Sequence, residues 1–186
     1  MKRENTQELK KRLLVLLKQR AFKRGKFVLS SGKASNYYLD GRLITLDAEG
    51  AYLIASLILD MIKSDNIDAI GGPTLGADPI VGALAVLSYI NKNPLKTFIV
   101  RKTPKTHGMN RHIEGPALKK EERVVLVDDV ATTGEALIEA KHVLSAIGAK
   151  IVKAVVIVDR CEGAKENLEK EGVRLNSIFK IADFGI

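Results

Sequence analysis

Between Val124 and Gly134 the chain reads VVLVDDVATTG: four apolar residues set directly against two adjacent carboxylates, two hydroxyls and a glycine. Carboxylates as close as Asp128 and Asp129 raise each other's pKa unless a cation or hydrogen-bond donors offset their repulsion. Such a cost points to a ligand rich in hydroxyls or carrying a metal. Ala131, Thr132, Thr133 and Gly134 then lead into a helix predicted to begin near Glu135. Free backbone N–H groups, two hydroxyls and the positive helix end make a monophosphate cradle there. Acids followed at once by an anion cradle suit a ribose phosphate, the acids accepting from sugar hydroxyls and the loop holding the 5-phosphate. Capping a helix would need neither both aspartates nor both threonines.

Two other stretches carry candidate chemistry. Arg101 to Gly115, RKTPKTHGMNRHIEG, gathers Arg101, Lys102, Lys105, His107, Arg111 and His112 with little apolar content. It reads as a mobile loop over about 102–115. A basic loop is usually a solvated surface, but this one follows a strand beside a sugar-phosphate site. Its cations suit a concentrated polyanion such as pyrophosphate. On closing, it would exclude water and stabilise charge on a leaving group. Gly71 to Asp78, GGPTLGAD, places glycines ahead of a helix, either for close backbone approach to a ligand or as a purely structural turn. Neither GxGxxG nor GxxxxGK[ST] occurs, which argues against a dinucleotide fold or a P-loop.

The elements that must position these residues alternate along the chain. Leu9, Leu13, Leu16, Leu17 and Phe22 predict an amphipathic helix over about 6–24, ending before Gly25. FVLSSGKASNYYLDGR (27–42) predicts a short hairpin broken at Ser31-Gly32. Asp47 can cap a second helix whose apolar face includes Ala51, Ile54, Ile58 and Ile62. Strands are then predicted at 68–72, 95–101, 124–127, 150–160 and 174–181. Helices are predicted at 78–91, 135–147 and 162–171. Apolar, β-branched strands alternating with helices indicate a parallel sheet covered on both faces, whose ligand crevice lies beyond the carboxyl ends of the strands.

Composition sets the bounds. The 186 residues, 46% hydrophobic and 28% charged, suit one domain with a sizeable core. The N-terminus brackets five consecutive apolar residues with charge, too few for a signal segment, and no run approaches the ~18 of a spanning helix. A single cysteine, Cys161, excludes an internal disulfide, agrees with a reducing cytoplasm, and is expected to be buried or half-buried. The formal charge of +8 favours polyanionic partners. Aromatics at 5% show no stacking signature, and Lys10, Lys11 and Arg12 read as the solvated face of a helix. Neither a nucleic acid nor a membrane is expected as a partner.

VVLVDDVATTG resembles the phosphoribosyl-pyrophosphate (PRPP) signature of the type I phosphoribosyltransferases, a motif specific to that fold and not to one nucleobase. The order R-K-x-x-K-x-H-G…E-G resembles the catalytic loop of the orotate phosphoribosyltransferases. FVLSSGKASNYYLDGR is similar to the F-x-L-x-S-G-x-x-S-x-Y-Y of the same family. The resemblance extends through Val158 to Arg160 and Phe179 to Phe184, nearly the whole chain. It implies one α/β domain over 1–186, a central mostly parallel sheet flanked by helices, with a small N-terminal hood over about 1–45. The implied reaction converts orotate and PRPP to orotidine 5′-monophosphate and diphosphate in pyrimidine (UMP) biosynthesis.

Catalytic roles are implied for Lys105, His107, Asp128 and Asp129. PRPP contacts are implied for Arg101, Lys102, Lys105, His107, Asp128, Asp129, Val130, Ala131, Thr132, Thr133, Gly134, Glu135 and Ala136. Orotate contacts are implied for Thr132, Arg160, Tyr38 and Leu39, the Arg160 guanidinium suiting the orotate carboxylate. Mg²⁺ is implied as cofactor, held mainly through PRPP oxygens and water, with Asp128 and Asp129 as candidate protein ligands. A homodimer is implied in which the catalytic loop serves the neighbouring site. Two departures stand out: Leu75-Gly76-Ala77 lacks the lysine many relatives carry in that turn, and Ser30 stands where another lysine is common. The alternatives are a phosphoribosyltransferase for a purine or other base, and a PRPP-sensing regulator.

Overall fold

Strands that are apolar on both faces need cover on both sides, and the fold supplies it. The structure is a computed structural model that describes residues 5–28, 34–103 and 112–186. Six strands form the central sheet in the order β5-β4-β3-β6-β7-β8. They are β3 (Ala69–Pro73), β4 (Lys96–Val100), β5 (Ile113–Glu114), β6 (Arg123–Ala131), β7 (Lys150–Asp159) and β8 (Leu175–Lys180). All neighbours run parallel except β4 and β5. β5 is a strand that the periodicity did not predict, two residues being too few to carry a period.

Alternation along β6 divides the core. Val125 and Val127 pack with α1 (Thr6–Leu16), α3 (Ala48–Ile62) and α4 (Ala77–Ile90) on one face. Val124 and Leu126 pack with α5 (Glu135–Ala146) and α6 (Ala164–Lys170) on the other. All four are 0% exposed, which places β6 at the centre of the molecule. Asp47 caps α3 as the sequence predicts, its Oδ1 accepting from the Gly50 N–H at 3.0 Å.

The N-terminal segment departs from expectation. The helix leaves α geometry after Leu16, passes through a π-helical turn at Leu17–Ala21, and becomes a strand, β1 (Phe22–Val28). Tertiary pairing overrides the helical period: β1 pairs antiparallel with β2 (Ala34–Leu39), and Phe22 packs against the rings of Tyr37 and Phe184. The predicted break at Ser31-Gly32, and Ser30, lie outside the described residues. A short helix, α2 (Arg42–Thr45), then leads the chain toward α3.

Candidate active site

β6 runs further than VVLV. It pairs with β3 only as far as Gly71↔Leu126, but with the longer β7 as far as Ala131↔Asp159. Asp128, Asp129, Val130 and Ala131 therefore belong to the strand, held on the β7 side while the β3 side falls away. Val130 and Ala131, predicted as part of the phosphate loop, are its last two residues.

Both aspartates are part-buried. The Asp128 carboxylate accepts from the Asp129 N–H at 2.9 Å, and Asp129 accepts from the Val130 N–H at 2.8 Å. Among the described residues no cation forms an ion pair with either. Burial, then the charge of Asp129, pushes the Asp128 carboxyl well above the usual carboxylate range. Burial also raises Asp129, against the donated Val130 N–H and the charge of Arg42. Lys102, on the chain leaving β4, pulls Asp128 the other way.

Two glycines make room for this pair. A Cβ on Gly76 would lie 2.2 Å from Asp128 Oδ1 and 2.6 Å from Asp129 Oδ1. One on Gly41 would lie 2.8 Å from Asp129 Oδ2. Gly72 and Gly71 pack as closely, on the backbone carbonyls of Val127 and Phe98. The glycines of GGPTLGAD thus let the β3–α4 turn close on β6 and its carboxylates.

The turn after β6, expected to cradle an anion, leaves its backbone donors open. Gly134, at φ +80°, directly precedes α5, and no side chain caps the helix. The N–H groups of Thr132, Thr133 and Gly134 meet no acceptor among the described residues. With the open first turn of α5 they stand as unused donors at the positive end of a twelve-residue helix. Asn167 of α6 holds the turn from outside, its Nδ2 donating to the Thr133 carbonyl at 3.0 Å.

β7 ends beside it on Arg160, whose N–H donates to the Ala131 carbonyl at 2.9 Å. The guanidinium is 8% exposed. Its Nε donates to the Tyr37 hydroxyl at 2.9 Å and to Glu162 Oε1 at 3.0 Å, and Nη2 reaches the same oxygen at 2.9 Å. The group stacks over the Tyr37 ring, 4.7 Å from its centroid. Burial pushes the Tyr37 phenol up, so the hydroxyl stays protonated and donates to Glu162 at 3.3 Å. Tyr38 points away, 39% exposed against Phe27, and the Leu39 side chain lies in the core. The sequence motifs assign no role to Tyr37 or Glu162, although the strand period already sets Tyr37 and Tyr38 on opposite faces of β2. Cys161, expected to be buried or half-buried, is exposed: at φ +56° it turns the chain out of β7 once Arg160 has turned inward.

At the base of the basic loop, Arg101 donates its N–H to the His112 carbonyl at 2.8 Å and pairs through Nη1 with Glu114 at 3.2 Å. Lys105 and His107 lie outside the described residues.

A parallel sheet carrying paired acids, an open helix N-terminus and a buried arginine on adjacent strand ends defines a sugar-phosphate-binding α/β protein. The phosphoribosyl transferase domain family matches residues 45–186. The orotate phosphoribosyltransferase of Aquifex aeolicus is 46% identical over 177 residues, covering 94% of this chain and 96% of the relative. That of Mycobacterium tuberculosis superposes with a TM-score of 0.84 at 35% identity, covering 96% of this chain and 99% of the other. A second structure of the M. tuberculosis protein, in complex with PRPP, superposes at a TM-score of 0.80 with 32% identity over the same shares. The chain belongs to the phosphoribosyltransferases and, within them, to the orotate phosphoribosyltransferases, enzymes of the glycosyltransferase type.

Proposed function

We propose that this chain transfers the phosphoribosyl group of PRPP to orotate, giving orotidine 5′-monophosphate and diphosphate for pyrimidine biosynthesis. One observation carries the reading. Neighbouring strands end on complementary recognition elements: acids with an anion cradle on β6, an arginine suited to a carboxylate on β7.

Asp128 and Asp129 accept from the ribose hydroxyls, while Thr132 to Ala136 hold the 5-phosphate through backbone N–H groups and hydroxyls. Arg160 grips the orotate carboxylate, with Thr132 beside it and only the main chain of Tyr38 and Leu39 left to line the ring, since their side chains face solvent and core. As the anomeric C–O bond to diphosphate breaks, the base nitrogen bonds to the same carbon through an oxocarbenium-like state and gives up its proton to water or the departing diphosphate. Arg101, Lys102, Lys105 and His107 offset the charge gathering on the departing diphosphate. The residues fit a divalent ion: the part-buried acids have hard oxygen donors and no described counter-cation. Among the described residues no group of three His, Cys, Asp or Glu side chains is placed to hold a metal ion, so PRPP oxygens and water would complete the shell. Mg²⁺ held at Asp128 and Asp129 would offset negative charge on PRPP.

The homodimer is supported by apolar surface on α2 and α4, where Leu46 is 73% and Tyr89 76% exposed, with Leu43, Val86 and Ile90 also exposed. Cytoplasmic placement is supported by the free, exposed cysteine. No helix among the described residues is long and apolar enough to cross a membrane.

The test is loss of the orotate ultraviolet band on mixing protein, Mg²⁺, PRPP and orotate, with uracil, hypoxanthine and adenine in parallel. Turnover of orotate alone supports the reading; turnover of a purine alone replaces it with the nearest alternative.

A further inference from the structure

Glu162 has no part in the reaction as described, yet its carboxylate is organised around the base-binding arginine. Two hydrogen bonds converge on one oxygen, Oε1, from Arg160 Nε at 3.0 Å and the Tyr37 hydroxyl at 3.3 Å, and Arg160 Nη2 forms an ion pair with it at 2.9 Å. That hydroxyl in turn accepts from Nε at 2.9 Å, closing a ring of hydrogen bonds under a nearly buried guanidinium. The backbone is bent to achieve this. Cys161 and Gly163 both have positive φ, +56° and +102°, and fold Glu162 back onto a side chain two residues earlier. Arg160 is thereby held from both sides of the site, by Glu162 beyond β7 and by Tyr37 on β2 of the hood.

The stoichiometry of donors matters. A guanidinium has five N–H groups in a rigid fork. Glu162 and Tyr37 occupy Nε and one edge of Nη2, while Nη1 makes no hydrogen bond to any described residue. What remains is the outer pair formed by Nη1 and the second N–H of Nη2, the edge that matches a carboxylate bidentately. We propose that Glu162, acting with Tyr37, is a positioning and specificity residue: it fixes Arg160 with that outer edge presented to a carboxylate-bearing base. The inference rests on the reading of Arg160 as the ligand of the orotate carboxylate. Because Glu162 also balances the arginine's charge, recognition depends on matching the fork geometry rather than on attraction to a bare cation.

The test is steady-state kinetics of the full chain with Mg²⁺, PRPP and orotate. Glu162→Ala is expected to raise KM for orotate by about tenfold or more, the scale of a lost charge-assisted hydrogen bond. KM for PRPP and kcat should stay within roughly threefold, as Glu162 reaches Arg160 and not the ribose phosphate. Glu162→Gln keeps an acceptor oxygen and should recover most of the orotate affinity. Tyr37→Phe, which removes one hydroxyl and keeps the stacked ring, should show an intermediate rise. The preference for orotate over uracil should narrow in Glu162→Ala, because uracil has no carboxylate to present. An unchanged orotate KM in Glu162→Ala, or equal losses toward both substrates, overturns the proposal. Should Glu162→Ala fail to fold, an unchanged orotate KM in Tyr37→Phe overturns it equally. Wild-type protein inert toward orotate would bring down the functional reading and this inference with it, whereas active wild type beside an indifferent variant removes the inference alone.

Discussion

β6 and β7 lie side by side, run the same way, and end in opposite electrostatic conditions. β6 ends on two carboxylates that burial and mutual repulsion push toward protonation, with no ion pair from any described residue. β7 ends on an arginine whose charge is balanced by Glu162 and whose plane is fixed by Tyr37. An unbalanced buried charge costs stability until something binds, and a balanced one is already in place. The β6 end therefore holds binding free energy in reserve for a ligand rich in hydroxyls and for a cation. The β7 end is preorganised, so its contribution is selectivity.

The largest test of this difference is Asp128→Asn. Loss of a charged acceptor for a ribose hydroxyl should lower kcat/KM for PRPP by roughly 100-fold, from the ~1.5–3 kcal/mol typical of hydrogen bonds to charged groups. The same change should stabilise the ligand-free protein, because it removes a desolvated charge and its repulsion of Asp129. For a chain of this size each kcal/mol relieved appears as roughly 2–4 °C in Tm. A thermal melt in which the variant unfolds below wild type would show that the pair is a structural asset and break the contrast.

Gly76→Ala comes next. The new Cβ would sit 2.2 Å from Asp128 Oδ1 and cannot be accommodated without moving the carboxylates or the turn. Overpacking of this kind costs about 1–3 kcal/mol of stability, and displaced acids should lower turnover by roughly tenfold or more. Arg160→Lys makes the complementary probe at the other strand end: orotate affinity should fall while PRPP affinity holds, because a lysine lacks the fork.

What the sequence made legible follows the same division. The β6 site could be read because its parts are contiguous: an apolar run, two acids and a small-residue turn fall within eleven positions and need only strand and helix geometry to meet. The fold class was legible in the alternation of periods, and Asp47 in its capping role. Tyr37 and Glu162 were not: Tyr37 meets Arg160 only after the hood has packed onto the sheet, and Glu162 folds back onto it through the positive φ of Cys161 and Gly163, which no period announces. Gly41 was equally silent, and Gly76 was legible only as room for a ligand or a structural turn, since the close approach both permit is to side chains far away in sequence. The helix over 6–24 was overextended because pairing of β1 with β2, and the packing of Phe22 on Tyr37 and Phe184, outweigh helical periodicity. β6 was cut short at Val127 because charged residues read as a strand end, whereas the ladder with β7 carries them on to Ala131.

Acidity offers a smaller test. A carboxyl whose folded pKa lies above its unfolded value of ~3.9 adds no penalty when both states are protonated, and the full penalty above the folded pKa. Stability drawn from such a group is thus lost as pH rises from the ordinary carboxylate range through the raised value, and regained on acidification. Asp78, raised by burial, acts in the same sense, while Asp47, Glu122 and Glu171 are lowered by hydrogen bonds and act in the opposite one. The difference in Tm between wild type and Asp128→Asn isolates the pair. It should shrink as pH falls from neutral, and a gap constant down to pH 4 would mean that the acids are not desolvated.

The smallest expected effect probes a side-chain hydrogen bond that runs from beyond β7 to the turn after β6. Asn167, on α6, donates from Nδ2 to the Thr133 carbonyl at 3.0 Å, and so braces the cradle from outside without reaching its interior. Asn167→Ala removes that brace and leaves every proposed phosphate donor in place. A neutral, exposed hydrogen bond is worth about 0.5–1.5 kcal/mol, which sets a ceiling of roughly tenfold on the loss. If the cradle is already shaped by Gly134 and the start of α5, the loss should be only two- to threefold in KM for PRPP, with kcat and KM for orotate untouched. A fall in orotate affinity instead would mean that the two strand ends are mechanically coupled through α6. The contrast between a β6 end that waits for its ligand and a β7 end that is already set would then have to be redrawn as a single unit.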